Sequence, residues 1–287
     1  MKKLLYAAMW VIVVVLSCRQ PQTHQPLSTK DGVTIDYRVV GQGDTTILFL
    51  HGWGINQTYW DQQAAHFGKK YKAVSLDLPG FGKSGKNREA WTIENYAEDV
   101  AHAIKTLGLQ NVILVGHSMS GSIVVETAVR FPSNIIGVIG VDNFKDVGHI
   151  SLPEEKAGLD TFMHYLGVDF VGTITASAEG TLYSVQTDST IRKRILNDVI
   201  TGNAIVSKKV LNAVFSYGSK EVEMLKKLPY KLFLINSDNQ PTETRVLSQI
   251  ITHSCEVFTV HATSHYPMIE NAEDFNRQLE TIISKLK

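Results

Sequence analysis

Short apolar runs alternate along the chain with longer stretches of helical spacing. Val33 to Val40 (V-T-I-D-Y-R-V-V) alternates apolar and polar positions, the pattern of a half-exposed edge strand. Gly41, Gly43 and Asp44 then supply a turn. Thr46 to Leu50, Ala73 to Leu76, Val112 to Val115 and Ile135 to Val141 are mainly apolar, as strands buried on both faces require. Lys231 to Ile235 and Glu256 to His261 read as two more strands. Ile93 to Leu107, Ile123 to Val129 and Asp274 to Ile283 suit helices. Strands and helices alternating at these lengths predict an α/β domain with a mostly parallel sheet covered on both faces.

The regular alternation is interrupted between Asp142 and about Leu228. Glu154 to Leu166, Ile191 to Ile200 and Val206 to Phe215 have helical character, and Gly172 to Thr181 and Gly202-Asn203 read as breaks between them. The stretch from about 145 to 228 is therefore expected to form a helical cap over the strand ends. Caps select substrate and exclude water. Met163, Tyr165, Leu166, Phe170, Tyr183, Phe215 and Tyr217 either line an apolar pocket or pack this cap onto the sheet.

The 287 residues and their 44% hydrophobic content suffice for one large core, taken to span 31–287. Positive and negative side chains balance at 28 each, with no basic run, so a nucleic-acid surface is not indicated. The first 17 residues stand apart. Lys2 and Lys3 precede an apolar stretch, Leu4 to Leu16, that is short for a bilayer span. It ends V-L-S-C, similar to a bacterial lipoprotein signal, which makes Cys18 the candidate for cleavage and lipidation. An uncleaved anchor or a plain secretory signal are the alternatives. Residues 18–30 read as a tether, polar and glutamine-rich from Arg19 to Ser28. Loss of the leader leaves 26 basic against 28 acidic side chains. Cys255 is the only other cysteine, so lipidation of Cys18 leaves it no disulfide partner.

The most informative stretch is Asn111 to Gly121 (N-V-I-L-V-G-H-S-M-S-G). An apolar strand ends at Gly116, a helix follows, and Ser118 lies on the turn between them. This is the shape of a nucleophile elbow, G-x-S-x-G, with serine at the plus-two position in place of glycine. Small residues on either side let neighbouring backbone approach the turn. The bland alternative is an ordinary strand–turn–helix carrying an inert serine. Gly82-Lys83-Ser84 superficially matches the end of a phosphate-binding loop. The glycine that such a loop needs five positions earlier is Asp77, so nucleotide binding is rejected.

With H-G-W-G at 51–54, D-L-P-G-F-G-K-S at 77–84 and G-H-S-M-S at 116–120, the chain resembles the α/β-hydrolase superfamily. His51 to Trp60 is especially similar to small carboxylesterases of the biotin-pathway type. The resemblance covers 33–142 and 229–287. It implies a mostly parallel eight-stranded sheet, helices on both faces, and the cap inserted after the sixth strand. Serine chemistry needs a base and oxyanion donors. The Met119 N–H, at the start of the helix after Ser118, is one candidate donor. The Trp53 N–H resembles the family's second. His265, in H-Y-P-M-I-E, resembles the family's histidine and is the candidate base. His261 is read as structural, His51 as ordering the oxyanion loop, and His117 as a variable elbow position.

The third member is open between two residues. Most of the family places its acid after the seventh strand, where the usual slot falls on Asn239 and Asp238 is one residue early. A subgroup of haloalkane dehalogenases places it after the sixth strand, at the position of Asp142. Asp142 is favoured because it ends its strand directly. The resulting expectation is an exported, membrane-anchored serine hydrolase of a bacterial cell envelope. It would cleave a small carboxylic ester, thioester or amide through an acyl-enzyme, with no metal or organic cofactor. C–C bond hydrolysis by the same triad is one alternative, and a non-catalytic ligand-binding lipoprotein is another. Dehalogenase or epoxide hydrolase chemistry is disfavoured, since each needs a carboxylate where Ser118 stands.

Overall fold

A computed structural model describes residues 25–149 and 151–286. The expected leader, Cys18 and the first part of the tether lie outside the described residues. Among the described residues nine strands are formed: Leu27–Ser28 (β1), Thr34–Ile35 (β2), Tyr37–Val40 (β3), Thr46–Leu50 (β4), Lys72–Leu76 (β5), Val112–His117 (β6), Ile135–Val141 (β7), Leu232–Ser237 (β8) and Cys255–Val260 (β9). The helices outside the cap are Asp61–Phe67 (α1), Ile93–Thr106 (α2), Ser120–Arg130 (α3), Thr244–Ile250 (α9), Pro267–Glu270 (α10) and Ala272–Lys285 (α11). Between β7 and β8 come Pro153–Val168 (α4), Phe170–Thr181 (α5), Ser189–Ile200 (α6), Ala204–Ser216 (α7) and Gly218–Lys227 (α8).

The main sheet has seven strands in the order β3-β5-β4-β6-β7-β8-β9, all parallel except β3. Eight were expected. The expected edge strand over 33–40 divides at Asp36, whose backbone N–H donates to Ser84 Oγ (2.8 Å). Its first half, β2, turns away to pair with β1. Leu27 in β1 is buried. The five-helix insertion consequently follows the fifth strand of this sheet in chain order, not the sixth.

Register positions the site. Leu50 pairs with both Leu76 and Gly116, His117 with Val141, and Val141 with Ile235. The parallel strands thus deliver His51, Ser118, Asp142 and Asn236 to one carboxyl edge, where such sheets place their sites. Both faces beneath are apolar: Ile47, Leu48, Phe49 and Leu50 are fully buried, as β4's uninterrupted run requires. Trp60 packs against Phe49 and Phe275 at ring separations of 5.0 and 6.0 Å, joining the sheet to α11.

The cap departs from expectation in its second helix. Gly172 to Thr181, read as a break, lies within α5. Asp169 caps it at the Gly172 N–H (2.9 Å), and the Thr175 and Ser177 hydroxyls bond back to carbonyls one turn earlier. Burial of Ile174 and Ala178 then outweighs weak propensity. The glycine signal survives only at Gly180, where the helix kinks with φ +89°.

Truncating the buried ring that α11 places against Trp60, Phe275→Ala, should cost about 3–5 kcal/mol, as core aromatic deletions do. Urea unfolding should show a lower midpoint with an unchanged slope.

Candidate active site

The turn after β6 is strained. Ser118 is a non-glycine residue at φ +54°, a backbone region that costs energy for an L-residue. Its neighbours show why they are small. A Cβ on Gly116 would sit 2.2 Å from the Ser120 carbonyl oxygen, and one on Gly121 would sit 1.9 Å from Asn143 Nδ2. The close approach falls at plus three, and that frees the plus-two position for serine. Ser120 uses its hydroxyl: Oγ donates to the His51 carbonyl (2.5 Å), tying the elbow to the loop after β4.

Ser118 Oγ lies 2.9 Å from His265 Nε2, and His265 Nδ1 lies 2.7 Å from Asp142 Oδ2. Residues from three strand ends are thus in line. Asp142 is buried and, like Ser118, has positive φ (+47°), which aims its carboxylate along the sheet edge. Its other oxygen, Oδ1, accepts from the Ser237 N–H (2.8 Å) and Ser237 Oγ (2.7 Å) and pairs with Lys145 Nζ (2.8 Å). Burial opposes its ionisation. The His265 hydrogen bond and charge, with Lys145, outweigh that and hold the carboxyl well below the usual range. Asp238 is not in this line. It lies at the surface, where its carboxylate pairs with His261 Nδ1 (3.1 Å) and the Ala262 N–H (3.2 Å). The β8 strand runs two residues beyond its expected end, to Ser237, and that extension carries Ser237 onto Asp142 and Asp238 past it.

Two further histidines frame the site, both buried and both with their proton affinity lowered by burial. His51 Nε2 accepts from the Leu78 N–H (2.9 Å), which leaves Nδ1 to donate to the Gly52 carbonyl (2.7 Å). This bond fixes the loop carrying Trp53. His117, expected to be a variable position, instead donates from Nε2 to the His265 carbonyl (2.7 Å). Burial and then His265 push its pKa down to about 3, so it is a neutral brace for the histidine loop. Glu270 supports that loop from below, accepting from the Ser264 N–H (3.1 Å) and Tyr266 N–H (3.0 Å).

Met119 precedes the first turn of α3, at its positive end. Among the described residues neither its N–H nor that of Trp53 donates to a protein acceptor. The Trp53 ring is occupied: its Nε1 donates to the Ser207 carbonyl of α7 (2.8 Å), pinning the cap to the loop. Thr187, between α5 and α6, joins the cap to the histidine loop through Ser264 Oγ and Glu270 (2.9 Å each). Of the cap residues considered for a pocket, Tyr165 and Phe215 are exposed. Met163, Leu166 and Phe170 line a cleft between α4, α5 and α7, within the cap itself. Gly82-Lys83-Ser84 closes onto Asp77, which accepts the Lys83 N–H (2.8 Å), leaving no phosphate cradle. Lys145, Ser237, Asn143 and Thr187 had no motif to mark them. Only the adjacency of Asn143 and Lys145 to Asp142 could have drawn notice.

The family model described as the alpha/beta hydrolase fold matches residues 45–176. The chain has the α/β-hydrolase fold. A bifunctional esterase/perhydrolase of Acinetobacter calcoaceticus is 36% identical over 110 residues, 38% of this chain and 40% of its own length. An uncharacterized Mycobacterium bovis protein is 30% identical over 208 residues, 69% of this chain and 60% of its own. The chain therefore spans roughly half the length of these two relatives. An esterase from Exiguobacterium antarcticum superposes with a TM-score of 0.78 at 19% identity, covering 90% of this chain and 98% of its own. Within this α/β-hydrolase fold, the array of three side chains is the chemically distinctive part.

A depressed carboxyl makes stability pH-dependent. Stabilisation from Asp142 is complete above the unfolded value of about 3.9 and is lost as pH falls below it. From about pH 5 to about pH 3 the unfolding free energy of the native chain should therefore fall more steeply than that of Asp142→Asn. Parallel curves in chemical denaturation would contradict this assignment.

Proposed function

We propose that this chain is a serine hydrolase that cleaves a carboxylic ester through an acyl-enzyme. The observation that carries the reading is the continuous line from Ser118 Oγ through His265 to the Asp142 carboxylate, at 2.9 and 2.7 Å. His265 Nε2 takes the Ser118 proton as Oγ attacks the ester carbonyl, and Asp142 holds the tautomer and stabilises the imidazolium. The oxygen that becomes negative is received by the Trp53 and Met119 N–H groups, which act only when preorganised. His265 then returns its proton to the leaving alcohol. Water repeats the sequence and releases the acid. Thioesters and activated amides fit the same steps. The esterase names among the relatives and neighbours agree with this chemistry.

In this reading Ser118→Ala should lose turnover of p-nitrophenyl esters by about 10⁴-fold or more, together with labelling by a fluorophosphonate. Asp142→Asn should lose about 10⁴-fold in kcat, because the imidazole is left in the wrong tautomer. Asp238→Asn should stay within a few-fold. Fluorophosphonate labelling that persists in Ser118→Ala would sink the proposal, and the reverse pattern at the two aspartates would move the acid. A chain-length series of the same esters would give the acyl preference.

We also propose that the chain is exported and held at a bacterial envelope membrane by lipid on Cys18, on the strength of V-L-S-C after an apolar leader. One acyl chain binds a bilayer only marginally, whereas two or more hold stably. Cys18→Ser should move the protein from the membrane to the soluble fraction. Unchanged fractionation with no lipid on the native chain would favour an uncleaved anchor.

A further inference from the structure

We propose that Lys145 is a positioning residue that sets the acidic limit of activity by acting on His265 through Asp142; this rests on the reading of Ser118, His265 and Asp142 above. The contacts run from Lys145 through the Asp142 carboxylate to His265. Lys145 Nζ lies 2.8 Å from Asp142 Oδ1 and donates to Ser237 Oγ (2.9 Å). Its side chain is only 11% exposed and that of Asp142 only 4%. Backbone and hydroxyl donors from Ser237 already serve the same oxygen, so Lys145 is not needed to complete its hydrogen bonding. What it adds is a full positive charge in a poorly solvated place.

That charge acts on the proton transfer. During attack the Ser118 proton passes to His265 Nε2, and the imidazolium so formed is stabilised by the Asp142 carboxylate. A cation on the far oxygen of the same carboxylate withdraws part of that stabilisation. It therefore disfavours the imidazolium relative to the neutral ring that acts as base. Two bonded contacts place the ammonium roughly 7 Å from the ring, where a unit charge at an effective dielectric near 20 displaces a titration by about one pH unit or more.

Among the described residues, no other lysine or arginine pairs with the Asp142 carboxylate. From β6, His117 faces His265 and is held neutral by burial. From the histidine loop come Tyr266, un-ionised because of burial, and Glu270, which is committed to Ser264 and the Tyr266 N–H. From the cap, Asp198 is engaged by Tyr59 and Arg194. On its own loop, Asp146 bears on Glu221, which is raised by burial and held by Ser122. Past β8, Asp238 is paired with His261 at the surface. Lys145 is the cation in direct contact with the Asp142 carboxylate.

The test is the pH profile of kcat/KM for p-nitrophenyl butyrate with the full chain, in the native protein, Lys145→Met, Lys145→Arg and Ser237→Ala. Lys145→Met should move the acidic limb upward by about one pH unit. Lys145→Arg should leave it in place, and Ser237→Ala, which keeps the cation, should move it by less than a third as much. A limb that stays put in Lys145→Met, with activity reduced equally at every pH, would mean that Lys145 only braces the loop. Equal shifts in Lys145→Met and Ser237→Ala would likewise overturn the charge mechanism. If Lys145→Met does not fold, Lys145→Gln keeps a polar end group, one atom shorter, without the charge. A native protein with no turnover at any pH would mark failure of the hydrolase reading instead. The His265 imidazole titration followed by NMR would then still decide whether Lys145 acts on it.

Discussion

The two oxygens of the Asp142 carboxylate do different work, and the site is organised around that division. Oδ2 receives His265, while Oδ1 is held by Ser237 and Lys145. A buried carboxylate is costly unless it is fully hydrogen-bonded and paired. Here the groups that meet that cost come from the ends of β7 and β8 and from the loop between them. The imidazole is therefore oriented by a group that the sheet itself holds rigid.

Steric demand shapes the other half of the site. Ser118 occupies a left-handed turn, so the chain around it must run close to itself. Gly116 and Gly121 are the positions where a side chain would strike neighbouring atoms. Asn143, immediately after Asp142, donates to the Gly116 and Ser118 carbonyls (3.1 and 3.3 Å), so the turn after β7 braces the turn after β6. The two strained turns support each other across one pair of parallel strands. That coupling suits a site in which a serine and a carboxylate must keep a fixed distance through one histidine.

The cap is fastened to this framework at the loops that carry the site. Trp53 Nε1 reaches α7, Thr187 reaches the histidine loop, and Tyr59 Oη donates to Asp198 of α6 (2.9 Å) while its ring lies under Arg194. Displacement of the cap would disturb the Trp53 loop and His265 together. Its own packing is looser: the exposed large apolar side chains of the described residues all fall between Leu152 and Phe215. The central strands are buried, and the exposed large apolar side chains lie on the cap.

Much of this was legible in the sequence. The apolar runs announced the parallel sheet, because strands buried on both faces must be mainly apolar. G-H-S-M-S and H-Y-P-M-I-E marked Ser118 and His265, because their chemistry is bound to local turns. Tertiary structure alone decided which aspartate meets His265, since two strand ends offered one and only β8's extra length, to Ser237, turned Asp238 outward. It also decided that α5 forms despite its glycines, through burial of Ile174 and Ala178, and that Asp36 breaks the edge strand, through a hydroxyl 48 residues away. Lys145 and His117 gained their places in the same way. A residue's partners across a sheet edge depend on register and on turn direction. Neither is written in local periodicity.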